Sequence, residues 1–173
     1  DWCWTASDSP VMESHFYPKE EKDKKTRYEE FLTQYAGLIE GEKHEVSVMA
    51  NTSAALKEAF GFFWVGFYLV EGDTLILGPF QGDVACYRIR KGRGVCGTAW
   101  AEGRTLVVPD VDAFPGHIAC SSLSRSEIVI PIIYNKVIKG VLDIDSDRPD
   151  DFDDTDREGL EQLVRLMAET LYA

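Results

Sequence analysis

No apolar run in this chain approaches the roughly 20 residues that a bilayer-spanning helix needs, so a helical membrane protein is not expected. Basic residues are also few. The 18 Lys and Arg stand against 30 Asp and Glu, a formal net charge of −12, and a field of that sign repels phosphate backbones. Nucleic acid is therefore not an expected partner. The only basic cluster, Arg88, Arg90, Lys91 and Arg93, is interrupted by Ile89 and Gly92 and reads as a solvated loop face. Metal-binding spacing is missing as well: no CxxC pair occurs among the four cysteines, and His15, His44 and His117 are scattered, so no metal site is expected. Residues 1–11 have neither a basic n-region nor a continuous apolar segment, which argues against a secretory signal and favours the cytoplasm.

What remains is globular material, 45% hydrophobic and 28% charged, and 173 residues can bury one core without disulfide staples. Residues 1–23, with Cys3, are set aside as an amino-terminal extension, expected to be disordered or partly foreign to the natural chain. Residues 24–173 carry the domain. Tyr28, Phe31, Leu32, Tyr35 and Leu38 recur at helical spacing up to Gly41, and a second helix from Lys43 to Phe60 stops at Gly61; the two are expected to pack together.

The period then changes. Phe62 to Val70, a turn at Glu71-Gly72-Asp73 and Thr74 to Leu77 predict a β-hairpin. A short strand at Ala85–Ile89, a Gly-rich loop, a helix at Val95–Ala101 and a strand at Thr105–Val108 follow. The serine-rich residues 109–126 predict a long irregular loop, of the kind that usually carries function. Glu127–Tyr134 and Val137–Asp145 predict a second hairpin through Asn135-Lys136, and Leu160, Leu163, Val164, Met167 and Leu171 mark a final amphipathic helix. This order predicts one α+β domain: a largely antiparallel sheet, helices on one face and a loop-covered pocket on the other.

Three cysteines, Cys86, Cys96 and Cys120, fall at predicted strand ends or in loops. They read either as small buried hydrophobes or as a redox set, in which one thiolate attacks an oxidised substrate and a second thiol resolves the product. Gly92-Arg93-Gly94 and Pro115-Gly116-His117 supply the mobility that such chemistry needs. Asp143 and Asp145, two apart on a strand, share a face, and hairpin pairing brings Glu127 towards them. These acids are either solvent-facing or crowded in a pocket, where they raise one another's pKa. Trp64 and Tyr68, four apart on the first strand, read as core packing or as a ligand wall.

Taken together, GRGVCGTA (residues 92–99), FPGHIACSS (114–122), SEIVIPI (126–132) and GVLDIDS (140–146) resemble the free methionine-(R)-sulfoxide reductase family, and ANTSAAL (50–56) and FFWVGFYL (62–69) fit it too. The resemblance covers residues 28–172. It implies a GAF-type domain, often dimeric, that reduces the free (R)-sulfoxide, holds no bound cofactor and is regenerated by thioredoxin. It further implies that Cys120 attacks, Cys86 resolves and Cys96 is a third redox cysteine, while Glu127, Asp143 and Asp145 bind substrate against the aromatic wall of Trp64 and Tyr68. Two positions depart from the pattern: Ser121 stands where an acid is usual and Arg90 where a proline is common. The rival readings are a GAF module that binds a small ligand and a redox sensor without turnover; three pocket acids disfavour a phosphate ligand.

Overall fold

The computed structural model describes residues 22–173. Expectations for the extension through residue 21, Cys3 included, lie outside the described residues. Helix α1 (Lys24–Ile39) begins where the Asp23 carboxylate accepts the Thr26 N–H at 2.7 Å, four residues ahead of the first apolar position that its periodicity marked. It buries Tyr28, Phe31, Tyr35 and Ile39, a three- and four-residue spacing that forms one stripe. Helix α2 (Glu45–Phe60) is capped by His44 and stops at Gly61, whose left-handed backbone lets its N–H donate to Lys57 O. The expected contact between these helices exists through the Tyr35 and Thr52 hydroxyls, 2.6 Å apart. The closer neighbour of α1 is α4 (Asp154–Tyr172), where the Tyr28 hydroxyl donates to Asp156 at 2.7 Å.

Six strands form one sheet: β1 (Trp64–Glu71), β2 (Thr74–Gln81), β3 (Arg88–Arg90), β4 (Leu106–Val108), β5 (Ser126–Tyr134) and β6 (Val137–Ser146). Their spatial order is β3-β2-β1-β6-β5-β4, and every pairing is antiparallel. Strand β2 runs past its predicted end at Leu77 because Pro79 falls inside a register shift against β1, where no ladder N–H is required. Strand β3 starts three residues later than predicted, which leaves Cys86 in the loop before it. The supposed solvated loop at Arg88–Arg90 is thus an edge strand.

Alternation along the strands divides the interior in two. Val65, Phe67, Ile128, Ile130, Leu142 and Ile144 face α1, α2 and α4, whereas Trp64, Tyr68, Val129 and Val141 face the other way. Helix α3 (Gly94–Glu102) lies on that second side, so the expectation of helices on one face holds for three of the four. The reason is topological. Strands β3 and β4 are opposite edges, so their connection must cross a face, and α1, α2 and α4 already cover the first. No helix among the described residues is long and apolar enough to cross a membrane.

Candidate active site

The acids meet because β1, β6 and β5 are adjacent. Trp64 pairs with Asp145, which pairs with Glu127; one step along, Gly66 pairs with Asp143, which pairs with Val129. Cross-strand neighbours sit about 4.5–5.5 Å apart, so Asp145 lies between Glu127 and Trp64 on the α3 side of the sheet. Gly66 makes room for the aromatic wall: a Cβ there would stand 2.8 Å from the Trp64 ring and 2.2 Å from Phe80 Cβ. The indole stacks on Phe80, with centroids 5.2 Å apart, and on Tyr68 at 6.2 Å.

Cys96 is in the first turn of α3, within the helix expected at Val95–Ala101, and is 4% exposed. Its Sγ lies 4.0 Å from Glu127 Oε2. Glu127 and Asp143 are 5% and 6% exposed, and Asp143 Oδ1 has no hydrogen-bond partner, a state that costs about 1–3 kcal/mol. Burial pushes the pKa values of Glu127 and Asp145 well above the usual carboxylate range, and the Asp143 charge pushes both further. Asp143 is also raised by burial, against which hydrogen bonds from Glu127 and Cys96 and the nearby His117 pull it down. Burial first, then the three acids, push the Cys96 thiol up. Burial and mutual repulsion thus favour the protonated forms of Glu127 and Asp145 over what an exposed acid would show, and Asp143 is the one whose rise its neighbours oppose.

The aromatic residues do more than wall the cavity. Trp64 Nε1 donates to Asp83 O at 2.9 Å, and the Tyr68 hydroxyl donates to Cys86 O at 2.9 Å, so both pin the loop that carries Cys86. Burial and the acids raise the Tyr68 pKa, which keeps that hydroxyl a donor. Cys86 is bridged to Cys120 by a disulfide with a Cα separation of 5.7 Å across 34 residues. The Cys120 loop is seated by Ile118, whose side chain fills the space beside Gly94; a Cβ there would be 3.2 Å from it, and φ is +61°.

These elements enclose a narrow cavity of about 50 Å³. Seven of the eight predicted site residues line it: Trp64, Tyr68, Cys96, Cys120, Glu127, Asp143 and Asp145. Cys86 stands just outside and reaches the cavity through its bridge. His117 also lines the cavity, with Nε2 4.0 Å from Glu127 Oε1. The sequence reading missed Gly66 and Asp83. An isolated glycine between Trp64 and Tyr68 in an apolar strand was a signal of close approach; for a backbone carbonyl acceptor such as Asp83 there was none. Donor atoms of Cys96, Glu127 and Asp143 lie within 4.8 Å of one another, close enough to hold a cation, which would have to displace the thiol proton.

The raised carboxyls have a cost in stability. A carboxyl whose folded pKa exceeds its unfolded value, about 4.3 for Glu, binds its proton more tightly when folded, so stability falls as pH rises from that value towards the folded pKa. Glu127→Gln removes this loss. Its melting temperature is expected to match the parent near pH 4 and to exceed it at pH 8 by a few degrees, at about 2–4 °C per kcal/mol relieved. Thermal scans at both pH values check this, and a Tm at pH 8 no higher than the parent's would refute it.

The family model of the GAF domain matches residues 43–171. GAF domain-containing protein A of Dictyostelium discoideum is 57% identical over 145 residues, 83% of this chain and 92% of that protein. The free methionine-R-sulfoxide reductase of Escherichia coli is 48% identical over 145 residues, 83% of this chain and 88% of that protein. The X-ray structure of free methionine-R-sulfoxide reductase from Neisseria meningitidis in complex with its substrate superposes with a TM-score of 0.86 at 52% identity, covering 90% of this chain and 95% of that one. A sheet with α3 and two loops closing one face, together with these likenesses, places the chain in the free methionine-R-sulfoxide reductase family of GAF domains.

Proposed function

We propose that this protein reduces free methionine (R)-sulfoxide to methionine, with Cys120 as nucleophile, Cys86 as resolving thiol and the buried acids as proton source and ammonium holder. The observation that carries this reading is the Cys86–Cys120 bridge at the mouth of a cavity floored by three carboxyls of raised pKa. The named reductases among its relatives support it.

In the reduced enzyme the Cys120 thiolate attacks the sulfoxide sulfur. Such attack is slow unless the oxygen is protonated, which a neutral carboxyl beside the thiolate does. The oxygen passes to Cys120 with that proton, methionine leaves, and Cys120 becomes a sulfenic acid. The Cys86 thiol then attacks Cys120 Sγ, water departs, and the disulfide forms. Glu127 suits the donor role better than Asp143, because Asp143 accepts hydrogen bonds from Glu127 and Cys96. Cys96, buried and held as a thiol, is a reserve rather than the first attacker. A dithiol protein such as thioredoxin reopens the bridge, and the cytoplasm, whose thiols are kept reduced, suits a disulfide that must be reopened at each turn.

The unpartnered Asp143 Oδ1 suits the α-ammonium of a free amino acid, a group that an internal residue of a peptide lacks. Losing a buried charge pair costs about 2–5 kcal/mol, so peptide-bound methionine sulfoxide is expected to react at least about 30-fold more slowly in kcat/KM than the free form. Equal rates would sink the recognition scheme. Failure to release any methionine from the free sulfoxide with dithiothreitol as reductant would sink the reductase reading itself.

A further inference from the structure

We infer that Cys96, Glu127 and Asp143 form a binding site for one soft divalent cation, Zn²⁺ or Cd²⁺, and that the bound ion takes the seat of the substrate ammonium and so blocks the enzyme. The exclusion of substrate rests on the proposed reductase reading; the metal site does not. No spacing in the chain announces it, because the three residues stand on α3, β5 and β6 and meet only in the folded domain. Their donor atoms lie within 4.8 Å of one another, and Cys96 Sγ stands 4.0 Å from Glu127 Oε2. Bonds of about 2.3 Å to sulfur and about 2.1 Å to oxygen put two such ligands of a tetrahedral ion about 3.6 Å apart, so Cys96 and Glu127 need to approach by only about 0.4 Å.

More than a chance meeting of acids is present. Asp143 is 6% exposed, lines the cavity and leaves Oδ1 without a hydrogen-bond partner. Buried charges are normally paired or coordinate a metal. Among the described residues neither Asp143 nor Asp145 has an ion-pair partner, Glu127 has only His117 at 4.0 Å, and Arg93, also on the cavity wall, pairs with none of the three. Cys96 adds a second oddity. It is the one cysteine of the described residues outside the bridge, and no step of the proposed cycle uses it. A cysteine that served only as a small hydrophobe would have its sulfur among apolar neighbours, whereas this one stands against a carboxyl.

The donor set selects the ion. A thiolate suits soft cations, whereas Mg²⁺ and Ca²⁺ take six or more oxygens, which these side chains do not supply. An organic ammonium would use the carboxyls and leave the sulfur idle. Three protein ligands leave the fourth tetrahedral position to water, and the cavity of about 50 Å³ has room for the ion with one water. Binding trades the S–H bond of Cys96 for a metal–sulfur bond; its proton and any held by the two carboxyls leave to solvent, and no electron moves. With the ion in place Asp143 Oδ1 is taken and Glu127 has no proton to give, so the two roles proposed for them are lost together.

The test titrates the full chain, its Cys86–Cys120 bridge closed so that those sulfurs are not ligands, with CdCl₂, whose bond to a thiolate gives an ultraviolet charge-transfer absorption. One equivalent is expected to bind, and ZnCl₂ should displace it. The absorption should persist in Cys3→Ser, which removes the thiol outside the described residues, and vanish in Cys96→Ser. Glu127→Gln and Asp143→Asn keep the thiol and are each expected to weaken Cd²⁺ binding about 10-fold or more. MgCl₂ in large excess should not displace the ion. No absorption, an absorption that survives in Cys96→Ser, parent affinity in both acid variants, or displacement by Mg²⁺ would each overturn the site. Competition is read in Cys86→Ser combined with Cys120→Ser, which by the proposed cycle binds substrate without turning it over. Free methionine sulfoxide at about ten times its Kd is expected to lower the Cd²⁺ affinity of that protein about 10-fold, and an unchanged affinity would overturn the exclusion of substrate. If the metal-free parent releases no methionine with dithiothreitol, the reductase reading fails, while the Cd²⁺ titration of the bridged chain still decides the metal site.

Discussion

Cys120→Ser is expected to release no methionine even in a single turnover, a fall on the order of 10⁴-fold or more, whereas Cys86→Ser should release one equivalent and then stall. Removing a nucleophile abolishes the covalent path outright, and losses of this size are typical when a catalytic unit loses its attacking group. The geometry separates the two thiols. Cys120 lines the cavity that holds Glu127, Asp143 and Asp145, and Cys86 does not. Cys86 is nevertheless held within bridging distance by the Tyr68 hydrogen bond to its carbonyl, so it is placed to close on an oxidised Cys120. Cys96 cannot readily replace it, being buried in the first turn of α3. Rapid-quench measurement of methionine against enzyme concentration distinguishes the cases. A full equivalent released by Cys120→Ser would reverse the assignment, and sustained thioredoxin-driven turnover by Cys86→Ser would hand the resolving role to Cys96.

Glu127→Gln is expected to lower the saturated single-turnover rate by about 10²–10⁴-fold, the usual worth of a positioned general acid. Its carboxyl has its pKa raised first by burial and then by the Asp143 and Asp145 charges. The sign of the pH effect follows: the acid must be protonated, so activity falls as pH rises through its raised pKa, and the thiol must be ionised, so activity rises as pH climbs through the thiol pKa. The parent profile is a bell whose limbs belong to the coupled site. Glutamine keeps the size and loses the proton, so the variant should retain the rising limb and lose the falling one. Asp143→Asn should cost less at saturation and more in KM, because Asp143 accepts protons and carries the unpartnered oxygen. A Glu127→Gln enzyme with the parent's rate and profile would mean that the proton comes from elsewhere, with His117 the next group on the cavity wall. The same variant should melt higher at alkaline pH, so loss of activity could not be put down to unfolding.

Much of this site was legible in the sequence because its determinants are local. Asp143 and Asp145 share a face through the two-residue period of a strand; the two-residue turn at Asn135-Lys136, both in the left-handed region, starts the hairpin in a register that would set Glu127 opposite Ile144, and a one-residue shift between Ile132 and Ile133, which no turn rule shows, brings Asp145 opposite instead. The same local rules marked the buried stripe of α4 and the aromatic face of β1. Tertiary structure alone decided the rest. Which strands are neighbours determines that the link from β3 to β4 must cross the open face, and that crossing brings Cys96 and α3 onto the acids. No spacing in the chain could show that Trp64 and Tyr68 would bond to backbone carbonyls of the Cys86 loop, or that loops 34 residues apart would meet. Such contacts depend on where the whole sheet places its edges, whereas hydrophobic period, capping and turn chemistry depend only on residues a few positions apart.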